Sequence, residues 1–146
     1  MMKNWKKISV VIGLLFLAGM AGVFWVFNKP HKNIESAKPD FQLEVRELIA
    51  GFVNEDSLAH ARYFEKVIEL TGEIEHVQQA DSVNVLTFIS DEAGFQLSCM
   101  MDPSDQSPMA AKQTVKLKCL YAGYLSPDAE FELPGDIKCK NCFVVK

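Results

Sequence analysis

The sequence predicts a mainly β domain that follows N-terminal helices, and three observations predict it. A long uncharged apolar run lies near the N-terminus, apolar residues at helical spacing follow between positions 40 and 64, and β-rich segments fill the remainder. The 146 residues are enough for one domain. Because 49% of them are hydrophobic and 23% are charged, the composition argues against a disordered chain, a collagen-like fibre or a polytopic membrane protein.

Charge is distributed unevenly along the chain. Residues 1–39 carry six lysines against one glutamate, which is a net charge of +5. Residues 40–146 carry nine lysines and arginines against eighteen acidic residues, which is a net charge of −9. An acidic domain repels phosphate backbones and anionic lipid headgroups, so general nucleic-acid binding is disfavoured.

The N-terminal run predicts a membrane span. Residues 8–27 contain no charge, and a helix of that length measures ~30 Å, the thickness of the hydrocarbon core of a bilayer. Trp5 and Trp25 lie near its two ends, where indole rings favour the membrane interface, and three lysines precede it. Residues 1–27 are therefore predicted to be a short basic N-terminus and an uncleaved signal anchor.

Two other interpretations of this run fit less well. A cleavable signal peptide could use the small residues on either side of Met20, but the apolar run continues to Phe27 and exceeds an ordinary signal-peptide core. A lipoprotein signal needs a cysteine where Met20 stands. The short N-terminal tail favours a cytoplasmic N-terminus, which places the rest of the chain on the opposite side of the membrane.

A polar linker and a helical segment are predicted next. Residues 28–39 hold two prolines and no apolar periodicity, and their His31 is interpreted as a solvated side chain. Asp40 can cap a helix. The segment 40–64 then shows one apolar stripe, formed by Phe41, Val45, Leu48, Ile49 and Phe52. A break after residue 53 predicts a second short helix, so that one or two helices pack on the domain that follows.

Five strands are predicted between residues 65 and 146. The first, 67–77, contains Gly72, which is interpreted as a bulge or a bend that lets one strand serve two sides of a barrel. A four-residue hairpin loop is predicted at 91–94. The other strands are expected at 83–90, 95–101, 115–121 and 137–145. Together these features match a five-stranded OB-fold barrel, while a five-strand meander and an SH3-like barrel remain alternatives.

Several segments also resemble a known family. These segments are YFEKVIELTGEI, FQLSC, VKLKCLYAGYL and CKNCFVVK. They are similar to the tRNA_anti-like family of bacterial OB-fold proteins, over about Leu58 to Lys146. The resemblance implies an N-terminal signal or anchor, then helices, then the barrel. It places the family's cysteine pattern on Cys99, Cys119 and Cys142, whereas Cys139 stands where an aliphatic residue is expected. It transfers no catalytic or binding residue.

The four cysteines are the strongest chemical signal. Outside the cytoplasm thiols tend to pair, and four cysteines allow three connectivities. In the predicted barrel the last strand lies beside the third and the fourth, which favours a Cys119–Cys142 disulfide and leaves a second bridge, Cys99–Cys139, open. Four buried free thiols are the alternative. The Cys139–Cys142 CxxC lies in a predicted strand and has no second ligand pair, so redox catalysis and zinc binding are disfavoured.

No catalytic constellation is recognised. His60 and His76 are isolated and are interpreted as structural or solvated. The carboxylates along the first strand are interpreted as an acidic solvated face; they are Glu65, Glu69, Glu73 and Glu75. No metal, cofactor or enzymatic activity is therefore predicted.

The expected function is that of a membrane-tethered binding or scaffold module. It would lie in the bacterial inner membrane with a periplasmic domain, and its partner would be an envelope protein, a peptide or a glycan. The alternative is a module that binds single-stranded oligonucleotides on the second and third strands, with Phe88 and Phe95 as candidate stacking residues that are equally explained as core. The sequence identifies neither the ligand nor the oligomeric state.

Overall fold

The structure is a computed structural model that describes residues 2–28, 33–89 and 94–146. The chain forms two compact units, residues 1–32 and 33–146. The first unit contains helix α1 (Met2–Phe27). Its segment Lys7–Phe27 has a mean hydropathy of 2.5, and no part of it is buried. By length and composition this helix could cross a membrane, in agreement with the predicted span at 8–27.

The second unit is built from one helix and a single mixed sheet. Strands β1 and β2 are parallel, as are β5 and β7, and the other neighbours are antiparallel. The elements are β1 (Phe41–Glu44), α2 (Val45–Tyr63), β2 (Val67–Glu73), β3 (His76–Ala80), β4 (Val83–Ile89), β5 (Phe95–Met101), β6 (Thr114–Leu125) and β7 (Gly135–Val144). The strand order in the sheet is β1-β2-β6-β7-β5-β4-β3.

The predicted five-stranded closed barrel is therefore wrong, because the sheet has seven strands and is open between β1 and β3. The first predicted strand divides in two at Ile74 and Glu75. Ile74 exchanges backbone hydrogen bonds with residues 112 and 113, whereas the N–H of Glu75 donates to Thr87 of β4. The chain thus crosses from near one end of the sheet to the other within two residues, so the sheet must curl strongly around its core.

The seventh strand, β1, occupies residues that the sequence analysis placed in a helix. Asp40 does not cap a helix; its N–H donates to the carbonyl of Val67, and its Oδ2 accepts from the N–H of Val67. These bonds start the parallel pairing with β2, in which Phe41 lies beside Ile68. Phe41 and Leu43 both pack against the core, as alternate residues of a strand do.

Helix α2 begins at Val45 and closes over the sheet. The Glu47 side chain accepts a hydrogen bond from the N–H of Glu44, which satisfies one donor at the helix start. The backbone leaves helical geometry at Glu55 (φ −151°, ψ 85°), so α2 consists of two helical pieces across a kink, close to the predicted break. The apolar side chains on the inner face of α2 are buried against β1, β2, β5 and β6.

The predicted linker 28–39 is only partly a linker. Residues 29–32, with His31, lie outside the described residues. From Asn33 onward the chain belongs to the folded unit, because Ile34 is fully buried and Lys118 donates to the carbonyl of Glu35. Ile34 is the apolar residue in this polar stretch, and its burial fixes the segment to the domain.

The strand boundaries differ from the predicted ones mainly at the longest strand. β6 runs to Leu125, four residues beyond the predicted end, because it pairs with β7 along its length. Asp81 and Ser82 form a two-residue turn between β3 and β4, with φ of 46° and 72°. The predicted loop 91–94 lies outside the described residues except for Gly94.

The position of Gly72 gives a first testable prediction. A Cβ at this residue would lie 2.6 Å from Val45 Cγ2 and 3.4 Å from Phe88 Cδ1, so glycine is required by the close approach of α2 and not by a bend. We expect Gly72→Ala to lower the free energy of unfolding by about 1–3 kcal/mol through overpacking. Urea unfolding followed by far-ultraviolet circular dichroism measures it.

The Gly72 variant has an internal control. A chain that already carries Val45→Ala lacks Val45 Cγ2, the atom closest to the added Cβ. In that chain, Gly72→Ala should therefore lower the free energy of unfolding by less than it does in the natural chain. Equal costs in both backgrounds would show that the approach of Val45 does not explain the glycine.

Candidate binding face and buried sulfur cluster

The predicted disulfide between Cys119 and Cys142 is confirmed. Cys119 lies in β6 and Cys142 in β7, with their Cα atoms 4.2 Å apart and both side chains fully buried. The bond joins neighbouring strands in the middle of the sheet and closes a separation of 23 residues.

The second predicted bridge, Cys99–Cys139, is not formed, and both residues are buried thiols. They are register partners on β5 and β7. The neighbouring Cys139 thiol, together with burial, raises the pKa of the Cys99 thiol well above its ordinary value. Cys99 is therefore a thiol, not a thiolate, at neutral pH.

A β-bulge brings the two cysteines of the CxxC motif to the same side of the sheet. Strict alternation would put residues three apart on opposite faces. Asn141 has a positive φ of 50°, and the register with β5 shifts between Cys99 and Met101. As a result, Cys139 and Cys142 are both buried. The sequence analysis missed this arrangement, because nothing in the residue types of CKNC marks a bulge.

The two aromatic residues proposed for stacking on bases lie in the core. Phe88 and Phe95 are both buried, and the ring of Phe95 is 5.9 Å from that of Phe52 on α2. Of the two interpretations given for these residues, their burial supports the core and contradicts a stacking surface.

The outward sides of β4 and β5 form an uncovered surface, which we call the β4–β5 face. Ile89 is 53% exposed and Met100 is 50% exposed, while the intervening inward residues are buried. Ser98 Oγ donates a 2.7 Å hydrogen bond to Asp136 of the adjacent β7. The outward residues of the face are Val85, Thr87, Ile89, Gln96, Ser98 and Met100. They are aliphatic or neutral polar side chains.

The histidines do not form a site in the described residues. His60 Nδ1 is 2.9 Å from the hydroxyl of Tyr121, and its ring lies among those of Phe64, Tyr121 and Tyr124. Burial raises the pKa of Tyr121, which keeps the phenol protonated in this contact. His60 is thus the hydrogen-bonded structural histidine that was predicted, whereas His76 is exposed on β3.

Two of the four carboxylates on the first predicted strand are ion-paired. Glu69 lies 3.4 Å from Lys116, and Glu75 pairs with Lys112. The hydrogen bond between Glu75 and Lys112 lowers the pKa of the carboxyl and raises that of the amine. Glu65 and Glu73 are exposed. The predicted acidic face is therefore solvated and partly neutralised.

A polar surface cleft of about 770 Å³ was not predicted. It lies beside β6 and β7, and Asp105 stands at its edge. The carboxylate of Asp105 accepts hydrogen bonds from the Ser107 N–H and hydroxyl and from the N–H of Val144. The repeated Asp-x-Ser spacing at 102–104 and 105–107 is the sequence signal for these turns.

Asp105 gives a prediction about pH. Burial acts to raise the pKa of Asp105, but the hydrogen bonds from Ser107 and Val144 outweigh it, and the net pKa is lowered. A carboxyl with a lowered pKa in the folded state stabilises the fold above its ordinary pKa, and this contribution is lost as the pH falls through the folded value. We expect Asp105→Asn to be less stable than the natural chain at pH 7, and the difference to shrink below about pH 4. Urea unfolding at both pH values measures the difference, and a difference that grows on acidification would contradict the assignment.

The fold and the β4–β5 face define a class of protein: a β-sheet module suited to binding, joined to an N-terminal helix that is apolar and long enough to cross a membrane. The chain belongs to the tRNA_anti-like family, whose model matches residues 1–130. The match confirms the family; it covers the N-terminal helix, which the resemblance noted in the sequence did not, and it ends before the segment CKNCFVVK, which that resemblance included.

Comparison with other proteins adds two findings. No curated protein matches the sequence. Among solved structures, the chain is similar to the OBody AM3L09 bound to hen egg-white lysozyme. The two share 10% identity at a TM-score of 0.37, over 58% of this chain and 86% of that chain.

Proposed function

We propose that this protein is a non-enzymatic binding or scaffold module of the bacterial cell envelope, tethered to the inner membrane. Helix α1 anchors it with the N-terminus in the cytoplasm, and residues 33–146 form a periplasmic domain. The apolar Lys7–Phe27 segment supports the anchor. The buried Cys119–Cys142 disulfide supports an oxidising compartment, because disulfides persist outside the cytoplasm.

The observation that carries the proposal is the composition of the β4–β5 face. It exposes Ile89 at one end and Met100 at the other, with the half-buried side chains of Thr87, Gln96 and Ser98 between them. Exposed aliphatic side chains beside neutral hydrogen-bonding groups suit the apolar and amide groups of a polypeptide. We therefore favour an envelope protein or peptide as the partner over a glycan.

The absence of a catalytic role is also part of the proposal. In the parts of the chain that the structure describes, the buried side chains with polar or titratable groups are tyrosines and cysteines, and no histidine, carboxylate, amide, lysine or arginine side chain is buried. Enzyme sites usually hold such groups in partly buried clefts, where their pKa values are shifted toward neutrality. The chemistry on the surface is hydrogen bonding and apolar contact, which serve binding.

Oligonucleotide binding is the less supported alternative. Strands β4 and β5 carry no lysine, arginine or exposed aromatic side chain, so they offer neither phosphate contacts nor a stacking platform. We expect the full chain in detergent to show no salt-sensitive retention of a fluorescein-labelled oligo(dT) at low ionic strength. Clear retention that falls steeply with added salt would favour the alternative.

The topology is tested by protease access. Spheroplasts of cells that express the full chain are treated with protease, and an antibody against the C-terminal domain follows cleavage. We expect the domain to be degraded in intact spheroplasts while a cytoplasmic control protein survives. A domain that is cut only after the inner membrane is lysed would show that it faces the cytoplasm.

The binding surface is tested by photo-crosslinking in the same cells. A photoreactive amino acid in place of Met100 should give adducts of discrete mass on ultraviolet irradiation. The same amino acid in place of Leu58, which is 65% exposed on α2, is the matched control and should give none. Adducts from both positions, or from neither, would argue against a binding role for the β4–β5 face.

A further inference from the structure

Four cysteines are buried in the core, and the proposed binding function does not use them. They come from three adjacent strands, with Cys99 on β5, Cys119 on β6, and Cys139 and Cys142 on β7. The Sγ atoms of Cys99, Cys119 and Cys142 all lie within 4.8 Å of one another. Cys139 is not in that group of three, but it is the register partner of Cys99 on the neighbouring strand β7, and it too is buried. All four side chains are buried, so the cluster is shielded from solvent.

The backbone of β7 is arranged so that both of its cysteines take part. The bulge at Asn141, with its positive φ, directs Cys139 and Cys142 to the same side. Two cysteines separated by two residues and facing one point are the ligand pair that structural zinc sites use. Zinc was disfavoured from the sequence because a second pair was missing, and the tertiary structure supplies it as Cys99 and Cys119.

We propose that the reduced form of this cluster is a zinc site in which Cys99, Cys119, Cys139 and Cys142 bind one Zn²⁺ ion. Tetrahedral coordination with Zn–S bonds of about 2.3 Å sets the sulfurs ~3.8 Å apart. The Sγ atom of Cys99 already lies within 4.8 Å of those of Cys119 and Cys142. Opening the Cys119–Cys142 bond lets its two sulfurs separate to the same spacing. The disulfide and the metal are therefore alternative states of one cluster.

A phosphine can reduce the disulfide before the metal binds. The disulfide, one phosphine and one water molecule give two thiols and one phosphine oxide. The four thiols then bind Zn²⁺ and release four protons, which leaves a site with a net charge of −2, as in other zinc sites with four cysteines. In an oxidising compartment the disulfide is the expected state, and under reducing conditions the metal takes its place.

The test uses the full chain in detergent, with Co²⁺ as a spectroscopic probe. The chain is reduced in denaturant with tris(2-carboxyethyl)phosphine and refolded without oxygen in the presence of Co²⁺. We expect one Co²⁺ per chain, a thiolate-to-cobalt charge-transfer band, the visible bands of tetrahedral Co²⁺, and displacement by one equivalent of Zn²⁺. The oxidised chain, treated identically without reductant, should give none of these bands because only two thiols are free.

Two single variants separate a metal site from a merely structural role. Cys139→Ser keeps both cysteines of the disulfide, so its oxidised form should still fold, but it should bind Co²⁺ at least about tenfold more weakly, since even loss of an outer-sphere partner costs 10- to 100-fold. Lys140→Ser places the same new side chain at the exposed neighbouring position and should bind like the natural chain.

Three results would overturn the zinc proposal. The first is a reduced chain that regains its β-sheet circular dichroism with Co²⁺ present but without the charge-transfer band. The second is a reduced chain that fails to refold with either Co²⁺ or Zn²⁺. The third is Cys139→Ser binding Co²⁺ as tightly as the natural chain. None of these results bears on the β4–β5 face, so failure here is distinguishable from failure of the proposed binding function.

Discussion

Replacing Cys119 and Cys142 together by alanine is expected to lower the free energy of unfolding by about 3 kcal/mol. The disulfide closes a separation of 23 residues, and a cross-link of that length restricts the unfolded chain by about this amount in the loop-entropy treatment. Since a small domain has only ~5–15 kcal/mol of stability, such a loss is a large share of the total. Urea unfolding of the full chain in metal-free detergent buffer measures it. Circular dichroism of the sheet must be the probe, because both tryptophans lie in α1.

Reduction supplies the control for this prediction. Adding a phosphine during unfolding should destabilise the natural chain by a similar amount and leave the double alanine variant unchanged, because that variant has no disulfide to open. A natural chain whose stability does not respond to reductant would show that the Cys119–Cys142 bond is absent or contributes little.

The second large effect is expected at Phe52. We expect Phe52→Ala to lower the free energy of unfolding by about 3–5 kcal/mol. Phe52 is almost completely buried on α2, and its ring centroid lies between 5.3 and 6.4 Å from those of four other aromatic rings. These rings belong to Tyr63, Phe95, Tyr121 and Tyr124. Truncation leaves a cavity at the contact between helix and sheet, which the surrounding strands cannot fill without moving. The same urea experiment measures the loss.

Leu58 is the matched control for Phe52. It lies on the same helix but is 65% exposed, so Leu58→Ala should change the free energy of unfolding by no more than about 0.5 kcal/mol. If Phe52→Ala cost as little as Leu58→Ala, α2 would not be part of the cooperative core. The kink at Glu55 would then mark a helix that detaches from the sheet without unfolding it.

The cysteines of the core and the aromatic residues of β4 and β5 could be placed from the sequence with different success. Alternation along the strands placed Cys99, Cys119 and Cys142 inward, and it correctly predicted the disulfide between the last two. The same alternation could not place Cys139, because the bulge at Asn141 depends on pairing with two neighbouring strands at once. The sequence could not decide the role of Phe88 and Phe95 for a related reason, since an apolar strand residue fits a core and a stacking surface equally well.

Strand β1 and helix α2, which follows it, show where a local residue pattern no longer decides between helix and strand. The apolar residues from Phe41 to Phe52 satisfy helical spacing, but Phe41 and Leu43 also satisfy the alternation of a strand. Pairing with β2 decides in favour of the strand, through the two hydrogen bonds between Asp40 and Val67. Gly72 suggested a bend, yet the break comes at Ile74 and Glu75, where the chain changes its hydrogen-bonding partners.

The sequence by itself determined the apolar N-terminal helix, the mainly β class, the kinked helix between them and the pairing of Cys119 with Cys142. The first three follow from composition and from periodicities that are local to a few residues, whereas the disulfide was predicted from alternation together with the strand neighbours expected in a barrel. Only the tertiary structure decided that there are seven strands, that Ile34 is buried, that the β4–β5 face lacks aromatic side chains, and that all four cysteines are buried on three adjacent strands. Each of these depends on contacts between residues far apart in the chain, and such contacts form only when the sheet assembles around its core.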